Sequence, residues 1–173
     1  MKGFERKNRY FSLCGLNCAL CPMYVGGYCP SCGGGAGNQS CRIAKCSIEQ
    51  GGIEFCFECK KYPCEHYGEE DVVDSFITYR NRRADAERAK KDIRSYIREQ
   101  EEKEKILLWL LSECNDGRRK TLFCTAVNLL SLHQLEKVMN VLQEDKTELL
   151  KEKASLAATL LQEEAKKQGI SLS

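Results

Sequence analysis

Hydrophobic residues follow two different patterns along the chain. From about Asp71 onward they recur every three or four positions, and Gly and Pro nearly vanish. Over residues 12–66 they are scattered among glycine pairs and prolines, which is the chemistry of turns. Strands and helices do not alternate, so a parallel sheet is not expected. The pattern predicts a small irregular module, residues 1–68, followed by an all-α helical array, residues 69–173.

The first part of the predicted array contains three helices. A helix is expected between Phe76 and Glu101, with an apolar face made by Tyr79, Ala86, Ala89, Ile93, Tyr96 and Ile97. The next stretch, residues 106–111, is apolar all round and is therefore predicted to be the most buried helix. Asn115-Asp116-Gly117 should end it, and a short helix should follow over residues 122–130.

Two further helices are predicted from their end signals. Ser131 and Gln134 have the spacing of a capping box, which opens a helix with Leu132, Leu135, Val138, Met139 and Leu142 facing inward. Asp145 and Glu148 form a looser cap for the last helix. Lys166-Lys167 and then Gly169 should close that helix, as cations and glycine favour a helix C-terminus.

Cysteine content changes the picture of the first half. The scattered apolar residues there bury too little surface to offset the ordering entropy, so the segment needs another stabilising element. Ten of the 12 cysteines lie between Cys14 and Cys64. The N-terminus has no apolar signal-peptide core, and no run of about 18 apolar residues predicts a membrane span. We expect a cytoplasmic protein, where paired thiols are more often metal ligands than disulfides.

The cysteines fall into short pairs that are typical of metal ligands. Two residues between ligands let one tight turn direct both sulfurs to a single ion, and a tetrahedral site takes two pairs. The four pairs, which predict two four-cysteine sites, are Cys18-x2-Cys21, Cys29-x2-Cys32, Cys41-x4-Cys46 and Cys56-x2-Cys59. Cys14, Cys64 and His66 are left to complete a third site or to substitute. Sequential pairing joins the first pair with the second, and crossed pairing joins the first with the third. Which pairs share an ion stays open. The candidate ligands are Cys14, Cys18, Cys21, Cys29, Cys32, Cys41, Cys46, Cys56, Cys59 and Cys64. The first half is thus expected to be a metal-stabilised cysteine-rich module.

Zinc and an iron–sulfur cluster are both compatible with thiolate ligands. Cys14-x3-Cys18-x2-Cys21 has the spacing with which radical S-adenosylmethionine enzymes hold a four-iron, four-sulfur cluster. Cys21-Pro22 and Cys29-Pro30 resemble the Cys-Pro step that ends ferredoxin ligand runs. However, the chain has no βα repeats from which to build a radical-enzyme barrel. We therefore expect two or three zinc ions, with an iron–sulfur cluster as the alternative.

The stretch Cys14-Gly15-Leu16-Asn17-Cys18-Ala19-Leu20-Cys21-Pro22-Met23-Tyr24 resembles the opening of an uncharacterised cysteine-rich prokaryotic family, domain of unknown function 3795. The resemblance continues through Cys29-Pro30-Ser31-Cys32 and Cys41 to Cys46, and ends in the box from Cys56 to Glu65. It departs at Ser31, where the family has Gly, and in one extra residue between Cys41 and Cys46. The resemblance covers about the first 65 residues. It implies a metal-binding module and supplies no reaction.

The remaining features point to a binding protein more than to an enzyme. Charge is nearly balanced, with 27 Lys+Arg against 25 Asp+Glu, which favours neither nucleic acid nor a membrane as partner. The helix near residues 76–101 carries a basic stripe, which we interpret as a solvated face: Arg80, Arg83, Lys90, Lys91, Arg94 and Arg98. Cys114 and Cys124 are predicted to be buried. No catalytic dyad stands out. We expect a zinc-binding scaffold for a protein partner; an iron–sulfur redox or radical enzyme and a nucleic-acid binder are the alternatives.

Overall fold

The computed structural model describes residues 3–35, 41–66 and 76–172. These residues contain seven α-helices and no strand beyond an isolated bridge between Phe11 and Asn17. The helices are α1 (Pro22–Val25), α2 (Arg42–Glu49), α3 (Arg82–Lys91), α4 (Ile93–Glu113), α5 (Lys120–Leu129), α6 (Leu132–Glu144) and α7 (Leu150–Lys167). No helix within these residues is long and apolar enough to cross a membrane. The predicted order, an irregular cysteine-rich segment and then a helical segment, is confirmed.

The chain divides into two compact units, Met1–Gln100 and Glu101–Ser173. The sequence predicted a domain boundary between residues 68 and 69, where the composition changes. In the structure the first unit also contains α3 and the first part of α4, because these helices pack on the cysteine-rich segment. The division into a module of residues 1–68 and a helical domain of residues 69–173 stays a prediction.

Two small apolar clusters are found among the described residues of the first unit. One contains Phe11, Phe55, Ala86, Ala89 and Tyr96, so it joins the cysteine-rich segment to α3 and α4. The other contains Phe4, Leu13 and Ala44, with Cys32, Ile43 and Cys56 packed against it. Neither cluster resembles the continuous core of a helical bundle.

A buried arginine ties the loops of the first unit together. The guanidinium of Arg6 donates to the carbonyl of Glu54 at 3.0 and 2.7 Å, and to those of Phe11 at 3.1 Å and Cys32 at 3.5 Å. It also lies 3.5 Å from the Glu54 carboxylate. The side chain of Arg6 is only 1% exposed. Such a charge is tolerated in the interior because the guanidinium nitrogens donate hydrogen bonds to oxygen acceptors.

The second unit has a conventional apolar core. Helix α7 packs against both α5 and α6. Large apolar side chains are fully buried there, namely Leu107, Leu110, Phe123, Val127, Leu130, Leu135, Leu142 and Leu161. Cys114 and Cys124 are buried among the apolar residues of this unit, as predicted.

Two of the predicted helices differ from the observed ones. The helix expected from Phe76 to Glu101 breaks at Asp92, whose backbone is extended and whose carboxylate accepts the Ser95 N–H at 3.0 Å. Asp92 therefore begins a new helix, which continues to Glu113 through the stretch that was expected to be separate. The prediction that residues 106–111 are the most buried helix is also wrong. Leu107 and Leu110 are buried, but Leu108 is 51% exposed, so the helix has an ordinary buried stripe.

The break also divides the basic stripe. Arg80 precedes α3, three of its members lie on α3, and Arg94 and Arg98 lie on α4. All six side chains are exposed.

Helix ends in the second unit follow the sequence signals in three of four cases. Helix α4 ends at Glu113, just before the predicted stop at Asn115-Asp116-Gly117. The capping box of α6 is present, with Ser131 N donating to Gln134 Oε1 at 2.8 Å and Gln134 N to Ser131 Oγ at 3.4 Å. At the end of α7, Gly169 has φ +68° and Ile170 N donates to Ala165 O at 2.9 Å, the predicted glycine stop. The cap predicted for the start of α7 is wrong. Asp145 instead accepts from Thr147 N at 3.2 Å and Thr147 Oγ1 at 3.0 Å, and α7 begins at Leu150.

Candidate functional site

Five cysteines surround one cavity of the first unit. This first cavity has a volume of about 230 Å³ and is lined by Cys14, Cys18, Cys29, Cys32 and Cys41. Its remaining walls are mostly apolar: Phe4, Leu13, Leu16, Ile43 and Ala44, with Ser12 as the polar exception. The first pair brings Cys18 to this cavity and the second brings Cys29 and Cys32, whereas sequential pairing would also require Cys21.

A tight turn places Cys14 and Cys18 at the first cavity. Ser12 N donates to Leu16 O at 2.8 Å, and Leu16 N donates to Ser12 Oγ at 2.7 Å. Gly15 within this turn has φ +92°, a conformation that glycine adopts without strain. Cys18 then opens a single 3-10 turn, Cys18–Leu20. The folded loop directs both cysteines toward the same space.

A second turn places Cys29 and Cys32. Ser31, between them, has φ +70°, a left-handed conformation that favours glycine. This is the position at which the chain departs from the family pattern. Gly34 is equally constrained, because a Cβ there would lie 1.7 Å from the carbonyl oxygen of Pro30. The backbone is thus folded closely around the pair.

The last pair surrounds a smaller cavity. This second cavity has a volume of about 30 Å³, and its polar walls include Cys46, Cys56, Cys59, Cys64 and His66. Leu13, Ile43, Ile53 and Tyr62 supply apolar walls. The four sulfur-bearing residues are the number that a tetrahedral ion requires. His66, which the sequence left to complete a third site or to substitute for another ligand, lies at the same cavity.

Helix α2 separates two cysteines that the sequence had paired. Cys41 caps the N-terminus of α2 and lines the first cavity, whereas Cys46 lies within the helix and lines the second. Five positions on an α-helix lie roughly 140° apart, so the two thiols face different directions. The sequence contained this signal, because Arg42–Glu49 has neither Gly nor Pro and the gap is longer than in the other pairs. Crossed pairing would bring both cysteines of the third pair to the same site as the first pair. Only Cys41 lies at the first cavity with Cys18, and Cys46 does not.

The two cavities share a wall. Leu13 and Ile43 line both of them. Cys56 N donates to Leu13 O at 3.0 Å, which connects the residue before Cys14 to a cysteine of the second cavity. The two groups of thiols are therefore neighbours within one small unit.

Burial dominates the electrostatics of the thiols. It raises the pKa of Cys18, while the backbone N–H of Cys32, donating to this sulfur, opposes the rise. Burial likewise raises the pKa of Cys14, and the Ser12 hydroxyl at 3.3 Å and the cation of Arg82 act against it. The pKa of Cys56 is raised to about 12 by burial and then by the thiols of Cys14, Cys64, Cys46 and Cys59. Thiols so close together ionise readily only if a cation compensates their charge.

A buried hydrogen-bond network holds the turn before Cys18. Asn17 donates from Nδ2 to Asp85 at 3.0 Å and accepts from the hydroxyl of Tyr96 at 2.9 Å. Asp85 also accepts from Asn81 and forms an ion pair with Arg88. The helices α3 and α4 therefore position the first cavity, and none of these residues was singled out from the sequence as part of the site.

Some candidate ligands are not assembled. Cys21 lines neither cavity, although its thiol affects that of Cys18 electrostatically. No disulfide joins the twelve cysteines, all of which are described. Over residues 3–35, 41–66 and 76–172, no three His, Cys, Asp or Glu side chains form a group that could hold a metal ion as they stand. The ligand set stays a prediction. Nine of its ten cysteines line the cavities, five at the first and four at the second.

Comparison with known proteins adds one finding. No curated protein and no solved structure matches the chain. Residues 26–69 match a family model described as "Protein of unknown function (DUF3795)". The matched segment contains the candidate ligands from Cys29 to Cys64 and leaves out the stretch from Cys14 to Tyr24. The family resemblance of the cysteine framework is thereby confirmed for residues 26–69.

Proposed function

We propose that this chain is a metal-binding protein whose two cysteine-lined cavities each hold a thiolate-bound metal centre. The observation that carries the proposal is the division of nine cysteines between two cavities of one unit. Thiols without a cation would be weak hydrogen-bonding groups, whereas a metal ion converts them into strong ligands. A reducing compartment suits this chemistry, because it keeps the thiols available.

The metal has a structural role in this proposal. Zinc suits the second cavity, where four cysteines match a closed tetrahedral site. A site closed by four thiolates has no open position for water or substrate, so it supports the fold rather than catalysing a reaction. We propose that the supported module acts as a scaffold for a protein partner. Neither a catalytic role nor nucleic-acid binding is favoured by a specific contact.

Metal content per chain tests the proposal. Elemental analysis of the full chain should find bound metal, and Cys56→Ser should lower its amount by removing a ligand of the second cavity. Cys124→Ser is the matched control, because Cys124 is buried in the other unit and is 2% exposed. A folded wild-type protein without metal, or a loss of metal in Cys124→Ser alone, would contradict the proposal.

The role of His66 can be settled in the same experiment. If Cys46, Cys56, Cys59 and Cys64 close the second site, His66→Ala keeps the full zinc content. A drop equal to that of Cys56→Ser would instead identify His66 as a ligand.

A further inference from the structure

We infer that the two cavities take different metal centres: a cluster of several iron and sulfide atoms in the first cavity and a single zinc ion in the second. This inference rests on the proposed metal binding and assigns the occupant of each site. Both iron–sulfur clusters and zinc accept cysteine thiolates, so ligand type alone does not separate them. The volume of each cavity, the residues that line it and the local sequence distinguish the two kinds of metal centre.

The size of the cavities is the leading argument. Roughly 10–15 Å³ of such volume accommodates one water molecule. The second cavity, at about 30 Å³, therefore has room for two or three water-sized atoms. A zinc ion with sulfur ligands at about 2.3 Å is one atom and needs no more space. The first cavity, at about 230 Å³, accommodates a body of many atoms, as a cluster that brings its own sulfides requires.

The walls of the first cavity fit a cluster. Five apolar residues surround it together with the cysteines, and Leu13 and Ala44 among them are 3% exposed. An apolar shell limits the access of water to a metal centre, and solvent exposure is one of the properties that tune an iron–sulfur centre. Five cysteines are present where a cluster uses four. Cys41 is the most exposed of the five, so we assign the cluster to Cys14, Cys18, Cys29 and Cys32.

Hydrogen bonds to sulfur are found at the same cavity. The N–H of Cys32 donates to the sulfur of Cys18, and Ser12 Oγ lies 3.3 Å from the sulfur of Cys14. Bonds of this kind stabilise thiolate ligands and tune the potential of a bound cluster. The cation of Arg82 also acts on Cys14 and reduces the cost of placing negative charge there. Cys29-Pro30, which resembles the end of a ferredoxin ligand run, belongs to the first cavity, whereas no cysteine of the second is followed by proline.

The test uses full-length protein prepared without oxygen and supplied with Fe²⁺, sulfide and Zn²⁺. We expect iron and acid-labile sulfide in matching amounts, broad visible absorption, and one zinc per chain. Cys18→Ser should abolish iron, sulfide and colour while keeping zinc. Cys59→Ser should remove zinc and keep the iron and sulfide. Cys124→Ser, the control, should change none of them.

Anomalous diffraction at the iron and zinc absorption edges gives a second measurement on the wild-type protein, should either variant fail to fold. It should place iron beside Cys18 and zinc beside Cys59. Zinc at both positions, with no iron or sulfide, would overturn the assignment and leave the proposed metal binding intact. Iron at the second cavity would overturn it as well. A folded protein that binds neither metal would overturn both.

Discussion

The two units of this chain stabilise their folds in different ways. In the second unit, α5, α6 and α7 bury large aliphatic side chains completely, so the hydrophobic effect alone accounts for its order. In the first unit, small apolar clusters lie between loops rich in glycine, and its cavities are lined by thiols together with apolar side chains. Under the proposed metal binding, metal–thiolate bonds would order this short segment in place of a continuous apolar core.

Removal of metal should produce the largest difference in stability between the two units. A structural zinc ion contributes roughly 10–16 kcal/mol of binding free energy, which exceeds the stability of most small domains. A strong chelator should therefore unfold the cysteine-rich segment and leave α5–α7 folded. Hydrogen exchange resolved by peptide would show this as lost protection within residues 3–66 and retained protection within residues 120–167. Equal loss of protection in both segments would contradict the comparison.

A cavity in the apolar core should destabilise the second unit and leave the metal content of the first unit unchanged. Leu135→Ala removes a fully buried side chain of α6 and should lower the free energy of unfolding of the second unit by about 3 kcal/mol. Metal content should not change. Leu108→Ala is the matched control, because Leu108 is largely exposed and its loss should cost less than about 0.5 kcal/mol. Denaturant titration followed by circular dichroism measures the free energy of unfolding of both variants. A loss of metal in Leu135→Ala would contradict the claim that the two units are stabilised independently.

The buried guanidinium offers a smaller effect in the first unit. Arg6→Lys keeps the charge but cannot reach three carbonyl groups with one planar fork, so it should cost the metal-loaded first unit about 2 kcal/mol. Arg9→Lys, at an exposed position, should leave stability unchanged. Segment-resolved hydrogen exchange would register the difference, and identical behaviour of the two variants would show that Arg6 does not hold the loops.

The smallest expected effect is a gain. Ser31→Gly relieves a left-handed conformation that costs an L-residue roughly 1–2 kcal/mol, and glycine returns part of this through its more flexible unfolded chain. We expect a net stabilisation of about 0.5 kcal/mol, measured by thermal unfolding of the metal-loaded protein. Gly33→Ala is the opposing variant, since its Cβ would lie 2.8 Å from the backbone nitrogen of Arg6 and φ is +79°. Destabilisation by both changes would argue against strain at Ser31.

Local signals in the sequence predicted the helical unit well. The capping box at Ser131 and the glycine stop at Gly169 act through bonds between residues a few positions apart, so spacing alone identifies them. The same logic failed at Asp92 and Asp145, because an aspartate can cap a helix or close a turn with almost the same local sequence. Which outcome wins depends on packing that the sequence does not display.

The site was predicted by residue type but not by arrangement. Short pairs identified the cysteines, yet the assignment of Cys41 and Cys46 to different cavities depends on the short helix between them. The support from Asn17, Asp85 and Tyr96 was not predicted either. Asn17 lies 68 positions from Asp85 and 79 from Tyr96 in the chain, and polar contacts of such range leave no periodic trace.

Helix α2 begins with a cysteine of one cavity and carries a cysteine of the other. An occupant at either end would fix the helix and so prepare the remaining position, and by linkage the help must be mutual. Uptake at the two cavities should then be coupled, so that each site binds its metal more weakly while the other is empty.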